Sequence, residues 1–369
     1  DKNKEADMTR EELGIVWLCG CTELDKRECA ALLRAAGSPA RLLDDYEKIA
    51  PSVIRSPKSG LYKERGLRLD GVEKLLRELE RESVFPITVL DEDYPEALKN
   101  IASPPLLLYG KGDRSLLAKR KFCIVGSRVT PPWAESLGRS ISAELSSRFC
   151  IVTGLAEGGD SAAIQGALPA GKVISVLPCG LKECYPASHA GLKERIAGSG
   201  LLLSEYPLGE PVKKYSFHER NRLLAGLSEG VLVLSAGAKS GALITANCAA
   251  EFGRDVFALP YRPNEARGAG CNDLIKKGAS LVTETEDILS FYGLEEAPVR
   301  EEGTEEKGPS LTPEEARVYE VLRDGGELHT SVLAEKAGLR VFEVAAVLSS
   351  LELKGLAVKA GGNRYSIAR

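Results

Sequence analysis

The chain has 369 residues, which is too long for one ordinary hydrophobic core and predicts two or three domains. Hydrophobic residues make up 43% and charged residues 28%, and these globular proportions exclude global disorder. The net charge of −4 excludes a protein that is basic over its whole surface, but it leaves room for a local basic patch. No apolar run approaches the roughly 18 residues of a membrane span, so we expect no membrane partner.

Cysteine and histidine usage narrows the chemistry. The nine cysteines are odd in number and no pair has C-x-x-C spacing, so the sequence predicts neither a zinc knuckle nor a disulfide framework. Thiols of this kind fit a reducing cytoplasm. Only three histidines are present, which excludes a histidine-rich metal site. We therefore expect no metal and no cofactor.

The first third of the chain predicts a helical domain and a connector. Apolar residues recur at helical intervals over residues 9–82, which indicates a small helical N-terminal domain at 1–82. Its segment 18–22 and the helix after it resemble a helix-hairpin-helix or SAM-like element, although a plain packing domain fits equally well. Four prolines then interrupt residues 83–112, which we interpret as an extended, looping connector.

The middle of the chain alternates between two periodicities. Short apolar runs typical of buried strands are separated by helical stretches; the runs are 122–125, 150–153, 173–177, 201–204, 231–234, 256–259 and 281–283. This alternation predicts an α/β fold over residues 83–293, with a Rossmann-like, doubly wound and mainly parallel sheet. Ligands of such sheets bind beyond the carboxyl ends of the strands.

The last part of the chain predicts a linker and a winged helix. Residues 294–310 are acidic and contain glycine and proline, which is typical of a linker. Three helices and a β-hairpin are then predicted over residues 311–369. This segment holds eight basic and eight acidic residues, so it is neutral. We therefore favour a protein-contact or regulatory role for it over the recognition of duplex DNA.

Three strand-to-helix turns are candidate anion sites. Gly126, Ser127 and Arg128 follow the first strand, where main-chain N–H groups and a guanidinium suit a phosphate. A second glycine-rich turn spans residues 153–160. The third turn contains Ser240, Gly241 and Thr245. For each turn, an ordinary tight turn or helix cap is the competing interpretation.

Residues 213–222 interleave basic and aromatic side chains before an apolar helix. Basic groups track a phosphate backbone, and an exposed aromatic ring stacks on a base. The competing interpretation is a solvated charged face with Phe217 in the core. Because the segment lies near three phosphate-type turns, we favour nucleic-acid binding.

Together these segments resemble the DNA processing protein A family (DprA, also called Smf). The resemblance spans roughly residues 83–290, and its motifs occur in the family's order. The residues that carry it are Tyr94-Pro95, Pro104-Pro105, Ile124 to Arg128, Val152 to Ala156, Gly158, Asp160, Gly171-Lys172, Ser204 to Pro207, Arg220 to Leu227, Lys239 to Thr245 and Asn272 to Ile275.

The resemblance implies a protein that binds single-stranded DNA without chemistry. Members protect incoming DNA during natural transformation, load the RecA recombinase and act as homodimers. Arg128, Lys172 and Lys214 would then neutralise phosphates, and Phe217 would stack on a base. The full set of candidate DNA contacts is Gly126, Ser127, Arg128, Lys172, Lys214, Phe217, Arg220, Asn221, Arg222, Ser240, Gly241 and Thr245.

The sequence departs from the family pattern at several positions. Glu157 replaces a basic residue and puts DNA contact by its turn in doubt; the other departures are Gly159, Ile164, Ser235 and Tyr261. One alternative function is a nucleotide-binding or nucleotide-hydrolysing enzyme of the lysine-decarboxylase-like Rossmann type. That family's P-G-G-x-G-T-x-x-E signature ends in a general acid/base, whereas Cys248 stands at this position here. A nucleotide-sensing scaffold is a third possibility.

Overall fold

The computed structural model describes residues 8–22, 24–54, 65–294, 311–354, 356–360 and 362–367. The chain divides into two compact units, residues 1–295 and 296–369. Apart from residue 294, the predicted acidic linker lies outside the described residues. Within these ranges, no helix is both long enough and apolar enough to cross a membrane.

The first unit begins with four helices. They are α1 (Arg10–Gly20), α2 (Lys26–Ala36), α3 (Pro39–Val53) and α4 (Arg65–Arg81). Capping boxes at Thr9 and Asp25 fix the starts of α1 and α2, because each side chain accepts a hydrogen bond from a free backbone N–H group. Trp17, Leu32 and Tyr46 are buried in the same hydrophobic core as the sheet. The predicted helical character is confirmed, while the domain boundary at residue 82 stays a prediction.

One sheet organises the rest of this unit. Its strands are β1 (Phe85–Thr88), β2 (Leu107–Gly112), β3 (Lys121–Val125), β4 (Cys150–Thr153), β5 (Val173–Val176), β6 (Leu201–Ser204), β7 (Gly230–Val233), β8 (Asp255–Ala258) and β9 (Ser280–Leu281). The strand order is β1-β2-β6-β5-β4-β3-β7-β8-β9. Strands β3 to β9 run parallel, and β1 and β2 pair antiparallel at one end. The predicted Rossmann-like, mainly parallel sheet is confirmed.

The strand order places a switch point at the centre of the sheet. From β3 the chain builds outward to β6, and it then returns to place β7 on the other side of β3. We name the side where the parallel strands end the carboxyl edge, and the opposite side the amino edge. The loops after β3, β4, β5, β6, β7 and β8 all emerge at the carboxyl edge. Sheets of this type bind ligands at that edge, close to the switch point.

Helices cover both faces of the sheet. They are α5 (Glu96–Lys99), α6 (Pro132–Leu145), α7 (Gly159–Ala167), α8 (Ala190–Ser199), α9 (Ser216–Leu227), α10 (Ala242–Glu251), α11 (Ala269–Lys276) and α12 (Glu286–Phe291). The connector at 83–112 is more regular than predicted, because it supplies β1, α5 and β2. Pro86 is compatible with β1 because β1 is an edge strand, where a missing N–H group costs least.

The second unit is a winged helix. It contains α13 (Pro313–Gly325), β10 (Leu328–His329), α14 (Thr330–Ala337), α15 (Val341–Leu353), β11 (Ala357–Ala360) and β12 (Arg364–Ile367). Thr312 forms a capping box with Glu315 at the start of α13. Val318, Leu333 and Leu348 are fully buried in a separate small core. This second core explains why the unit is compact on its own.

Helices α6 and α7 pack so closely that Gly166 has no room for a side chain. A Cβ atom there would overlap the Arg139 carbonyl oxygen and lie 2.8 Å from the Cβ of Ser142. We expect Gly166→Ala to lower the free energy of unfolding by about 1–3 kcal/mol, because an overpacked contact forces the helices apart. Urea denaturation of the full chain measures this value.

Gly198 in α8 provides the matched control. No atom lies within 4 Å of a Cβ placed there. Gly198→Ala should leave stability unchanged or raise it by about 0.5 kcal/mol, because alanine restricts the unfolded chain. Equal stability of the two variants would contradict the close packing of α6 against α7.

Candidate nucleic-acid interface

The turn after β3 lies at the switch point and is tightly packed. A Cβ on Gly126 would lie 2.9 Å from the Cα of Gly159, so a side chain here would push the two turns apart. The Ser127 N–H group donates to the carbonyl oxygen of Ser235 (2.8 Å), and the two hydroxyl oxygens lie 3.0 Å apart. Gly126 and Ser127 therefore join the turns after β3, β4 and β7.

Arg128 projects from this turn into an aromatic cluster. Its guanidinium carbon lies 5.4 Å from the ring centre of Tyr185 and 5.3 Å from that of Phe217. The two rings meet edge to face at 5.4 Å, and Arg128 Nη1 donates to the Tyr185 hydroxyl at 3.2 Å. Arg128 is exposed and forms no ion pair with any described carboxylate. Because aromatic rings hold this cation without neutralising it, its other N–H groups remain able to bind an anion.

We name Arg128, Tyr185 and Phe217 the Arg128 cluster. Phe217 is half-buried as the second residue of α9, and Lys214 lies exposed just before that helix. Lys214 has no ionic partner among the described residues. The structure thus brings together two predicted residues, Arg128 and Phe217, and the exposed Lys214 lies three residues before Phe217 in the chain. Tyr185 was not among the predicted residues. Its one signal in the sequence is that its loop follows β5, so that it emerges at the carboxyl edge.

Arg220 and Asn221 lie inside the protein. Arg220 is 5% exposed, and its guanidinium donates to the carbonyl oxygen of Val176 and to Asn221 Oδ1. It also faces the buried carboxyl group of Asp160 beneath Gly154, where a Cβ would lie 2.6 Å from Arg220 Nη1. Burial raises the pKa of Asp160, and the charge of Arg220 opposes this shift. In the structure these two residues anchor α9, and their predicted DNA contacts stay a prediction.

Arg222 is neutralised within the protein. Its Nη2 atom lies 2.6 and 2.5 Å from the two carboxylate oxygens of Glu205, and its Nη1 atom donates to the Ser103 carbonyl oxygen at 2.6 Å. Lys26 of α2 also reaches Glu205, at 3.0 Å. The Arg222 side chain is only 12% exposed, so the structure does not bring it to the surface that carries Arg128. It holds α9 to the loop after β6.

The third predicted turn, after β7, is partly exposed to solvent. Gly241 is exposed, Ser240 is half-buried and Thr245 is 1% exposed. Thr245 therefore packs within the fold, and its predicted contact with phosphate stays a prediction. The neighbouring Lys239 is exposed and is unpaired within the part of the chain that the structure describes.

Lys172 lies at the amino edge. It immediately precedes β5, and its carbonyl oxygen accepts a hydrogen bond from Ile151 at the start of β4. Since β3, β4 and β5 are parallel, a residue before β5 is separated from Arg128 by the length of a strand. The expectation that Lys172 joins the same cationic surface is therefore corrected.

The structure shows where the residues that depart from the family pattern lie. Glu157 is exposed and accepts a hydrogen bond from Ser188, so it places a negative charge beside the loop that carries Tyr185. Ile164 is fully buried, and Ser235 is the partner of Ser127. Within the described ranges, no group of three or more metal-ligating side chains occurs.

This geometry defines a class: a doubly wound α/β protein joined to a winged helix, with an aromatic-held cation at its switch point. The family model described as DNA recombination-mediator protein A matches residues 85–293, and the DprA winged helix domain model matches residues 302–363. The chain belongs to the DNA recombination-mediator protein A family, as the sequence motifs predicted.

Individual relatives agree with this assignment. The chain is 39% identical to DNA processing protein DprA of Streptococcus pneumoniae over 253 residues, which cover 68% of this chain and 87% of the relative. The X-ray structure of DNA processing protein A from the same species matches with a TM-score of 0.62 and 33% identity, over 77% of this chain and 98% of that one. A structure of the Helicobacter pylori protein, reported for its single-stranded DNA binding mode, matches with a TM-score of 0.51 and 34% identity over 56% and 95%.

The internal role of Arg222 gives a stability prediction. Arg222→Met should lower the free energy of unfolding by about 1–3 kcal/mol, because the nearly buried Glu205 carboxylate keeps only Lys26 as an ionic partner and the Ser103 carbonyl oxygen loses its donor. Urea denaturation measures the loss. The control is Lys277→Ala, which breaks an exposed pair with Asp273 and should cost about 0.5 kcal/mol or less. Similar small losses in both variants would show that Arg222 is not a structural ion-pair residue.

Proposed function

We propose that this protein binds single-stranded DNA at the carboxyl edge, in the cytoplasm, and that it protects incoming DNA and passes it to RecA. The Arg128 cluster is the observation that carries this proposal. It combines an unpaired guanidinium with two aromatic rings in one exposed place. Family membership and the DNA-binding mode reported for the Helicobacter pylori relative support it.

The cluster suits an unpaired strand better than a duplex. Phosphates attract Arg128 and Lys214, while the rings of Tyr185 and Phe217 offer a surface on which an unpaired base can stack. Bases in a duplex are already stacked and paired, so they cannot use such a surface without flipping out. Stacking is also tolerant of sequence, because every base has a π-face.

We restrict the proposed contact set to residues exposed near the Arg128 cluster. Arg128, Lys214 and Phe217 would contact the strand directly, with Tyr185 added to the predicted list. The backbone of Gly241 and the side chain of Ser240 lie at the same edge beyond β7. Gly126 and Ser127 would position these loops.

Substitutions of Arg128, Lys214 and Lys172 test which cations contact the strand. Arg128→Ala and Lys214→Ala should each weaken the binding of fluorescein-labelled oligo-dT and reduce the slope of log affinity against log salt by about 0.7, because each variant removes one phosphate contact. Fluorescence anisotropy across a salt series measures both quantities. Lys172→Ala at the amino edge is the charge-matched control and should bind like the wild type.

Two outcomes would contradict the binding proposal. One is wild-type binding that is absent or insensitive to salt. The other is equal weakening by Lys172→Ala and Arg128→Ala, which would indicate a response to net charge alone.

We further propose that binding occurs without catalysis. The two carboxylates considered for acid–base chemistry are committed to other contacts: Asp160 is buried against Arg220, and Glu205 is paired with Arg222 and Lys26. A general base needs a free path to its substrate. Oligonucleotide recovered from the binding assay should accordingly run intact on a denaturing gel.

The homodimer is a further part of the proposal. Leu281 on the outermost strand β9 and Phe291 on α12 are about half exposed, at 48% and 52%. Large exposed apolar side chains at a sheet end mark a surface that a second copy can cover. Sedimentation equilibrium showing only monomer at every concentration would exclude this arrangement.

RecA loading is tested by the rate of filament assembly on a labelled single strand. Wild-type protein should shorten the lag before RecA filaments form, because it delivers a bound strand. Arg128→Ala should restore most of the lag, since it binds the strand more weakly. A lag that is the same with and without the wild-type protein would limit its function to DNA binding.

A further inference from the structure

A cavity lies at the carboxyl edge on the far side of the switch point from Tyr185 and Phe217. It has a volume of about 510 Å³ and is lined by Trp133, Pro260, Tyr261, Arg262 and Glu265. Trp133 lies in the first turn of α6, after β3, and the other four residues lie in the loop after β8. The Arg128 cluster contains none of these residues. We name this feature the Trp133 cavity.

Tyr261 forms a fixed wall of the cavity. Its hydroxyl donates to the Leu234 carbonyl oxygen at 2.6 Å, and its backbone N–H and C=O groups bond to the side-chain amide of Asn272 at 3.0 and 2.9 Å. Gly268 leaves space for its ring, because a Cβ at Gly268 would overlap that ring. Tyr261 is 8% exposed, so the surrounding residues determine its position.

Trp133 forms the solvent-exposed wall of the cavity. Its ring centre lies 4.9 Å from that of Tyr261, with 52° between the ring planes. The Trp133 side chain is nevertheless 44% exposed, together with Val129 at 61% one turn earlier. A large indole supported on one side and exposed on the other is a platform on which a flat ring can stack.

The polar residues around the platform suit a nucleotide. Arg262 and Arg267 are exposed, and neither is paired with a carboxylate in the part of the chain that the structure describes. Glu265 is half-buried in the wall, where its carboxylate can accept hydrogen bonds from a base. Stacking surface, acceptor and unpaired guanidinium groups thus occur together.

The Trp133 cavity lies near the Arg128 cluster along the carboxyl edge. Strands β3, β7 and β8 are consecutive in the sheet, so the end of β3 and the end of β8 are about 10 Å apart at ~4.8 Å per strand. A chain of hydrogen bonds crosses this gap: Ser127 meets the hydroxyl of Ser235 at 3.0 Å, which donates to the Arg267 carbonyl oxygen at 3.1 Å. Three base-stacking steps of ~3.4 Å, which join four bases, span the same distance.

We propose that the Trp133 cavity is a second base-binding subsite for the same single strand. The strand crosses the switch point from the Arg128 cluster and stacks a base on Trp133. This inference rests on the proposed function. Tyr261, a departure from the family pattern, then supports the Trp133 platform.

The chain contains its own reporter for this subsite. It has two tryptophans, and Trp17 is 1% exposed in the core of the first unit. The difference in emission between the wild type and Trp133→Phe therefore isolates Trp133. Titration with oligo-dT of two to twelve nucleotides should quench this difference signal only above a threshold length, because a short strand occupies the Arg128 cluster alone.

Affinity provides a second measurement. Trp133→Ala should weaken the binding of dT12 by about 5- to 150-fold, the range for losing one base stack, and leave the binding of dT2 unchanged. Trp133→Phe should retain most of the affinity because a ring remains. A dT12 strand with abasic sites should bind the wild type and Trp133→Ala equally. Unchanged Trp17 emission and urea denaturation confirm that each variant is folded.

The outcomes separate this inference from the proposed function. Unchanged Trp133 emission and unaltered dT12 affinity, with binding still weakened by Arg128→Ala, would overturn the subsite alone. Failure of the wild type to bind any oligonucleotide would overturn the proposed function. Quenching by thymidine monophosphate that equals quenching by dT12 would overturn the continuous strand and indicate an independent mononucleotide site.

Discussion

Charge neutralisation inside the protein decides which cations at the carboxyl edge can meet a ligand. A buried guanidinium loses its hydration and must be compensated by nearby acceptors, which is why Arg220 faces Asp160 and Arg222 Nη2 contacts both carboxylate oxygens of Glu205. These internal charges fix α9 and the loops after β5 and β6. The loops in turn hold Arg128 against its two rings. Structural cations thus create the rigid edge, and a different set of cations remains unpaired in the described residues: Arg128, Lys214, Lys239, Arg262 and Arg267.

The sheet was largely predictable because parallel strands covered on both faces leave continuous apolar runs in the sequence. Strands β4 and β6 were predicted with their exact bounds. β1 and β2 were not, because β1 is a short edge strand that contains Pro86, and Pro104 and Pro105 stand just before β2. The site was predicted less well. Arg220, Asn221 and Arg222 look equivalent in sequence, but successive helical residues point about 100° apart, and here all three turn toward protein partners. The position of Lys172 at the amino edge could have been predicted, because a residue that precedes a parallel strand lies at the opposite edge from a residue that follows one.

In the winged helix, too, cations are neutralised by nearby carboxylates. Arg340 at the start of α15 is bonded to Glu343, and its guanidinium lies 4.5 Å from the ring of the exposed Phe342. The cation nearest a groove-reading position is therefore already compensated. Lys354 at the end of α15 is likewise paired, with Glu315. An apolar, internally neutralised helix start is poorly suited to a phosphate backbone, which favours the predicted protein-contact or regulatory role over the recognition of duplex DNA.

A net charge of −4 does not oppose this assignment of polyanion binding to one edge. At physiological salt the Debye length is about 8 Å, so distant carboxylates are screened and the charges within one loop length dominate. Glu157 and Glu265 lie at the same edge and are not removed by this screening. Glu157 bonds to Ser188 beside the loop of Tyr185, and Glu265 lines the Trp133 cavity. Both subtract from the local attraction that Arg128 and Lys214 supply. Aromatic stacking must therefore carry a larger share of the affinity than in a strongly basic groove, and stacking depends far less on salt than counterion release does.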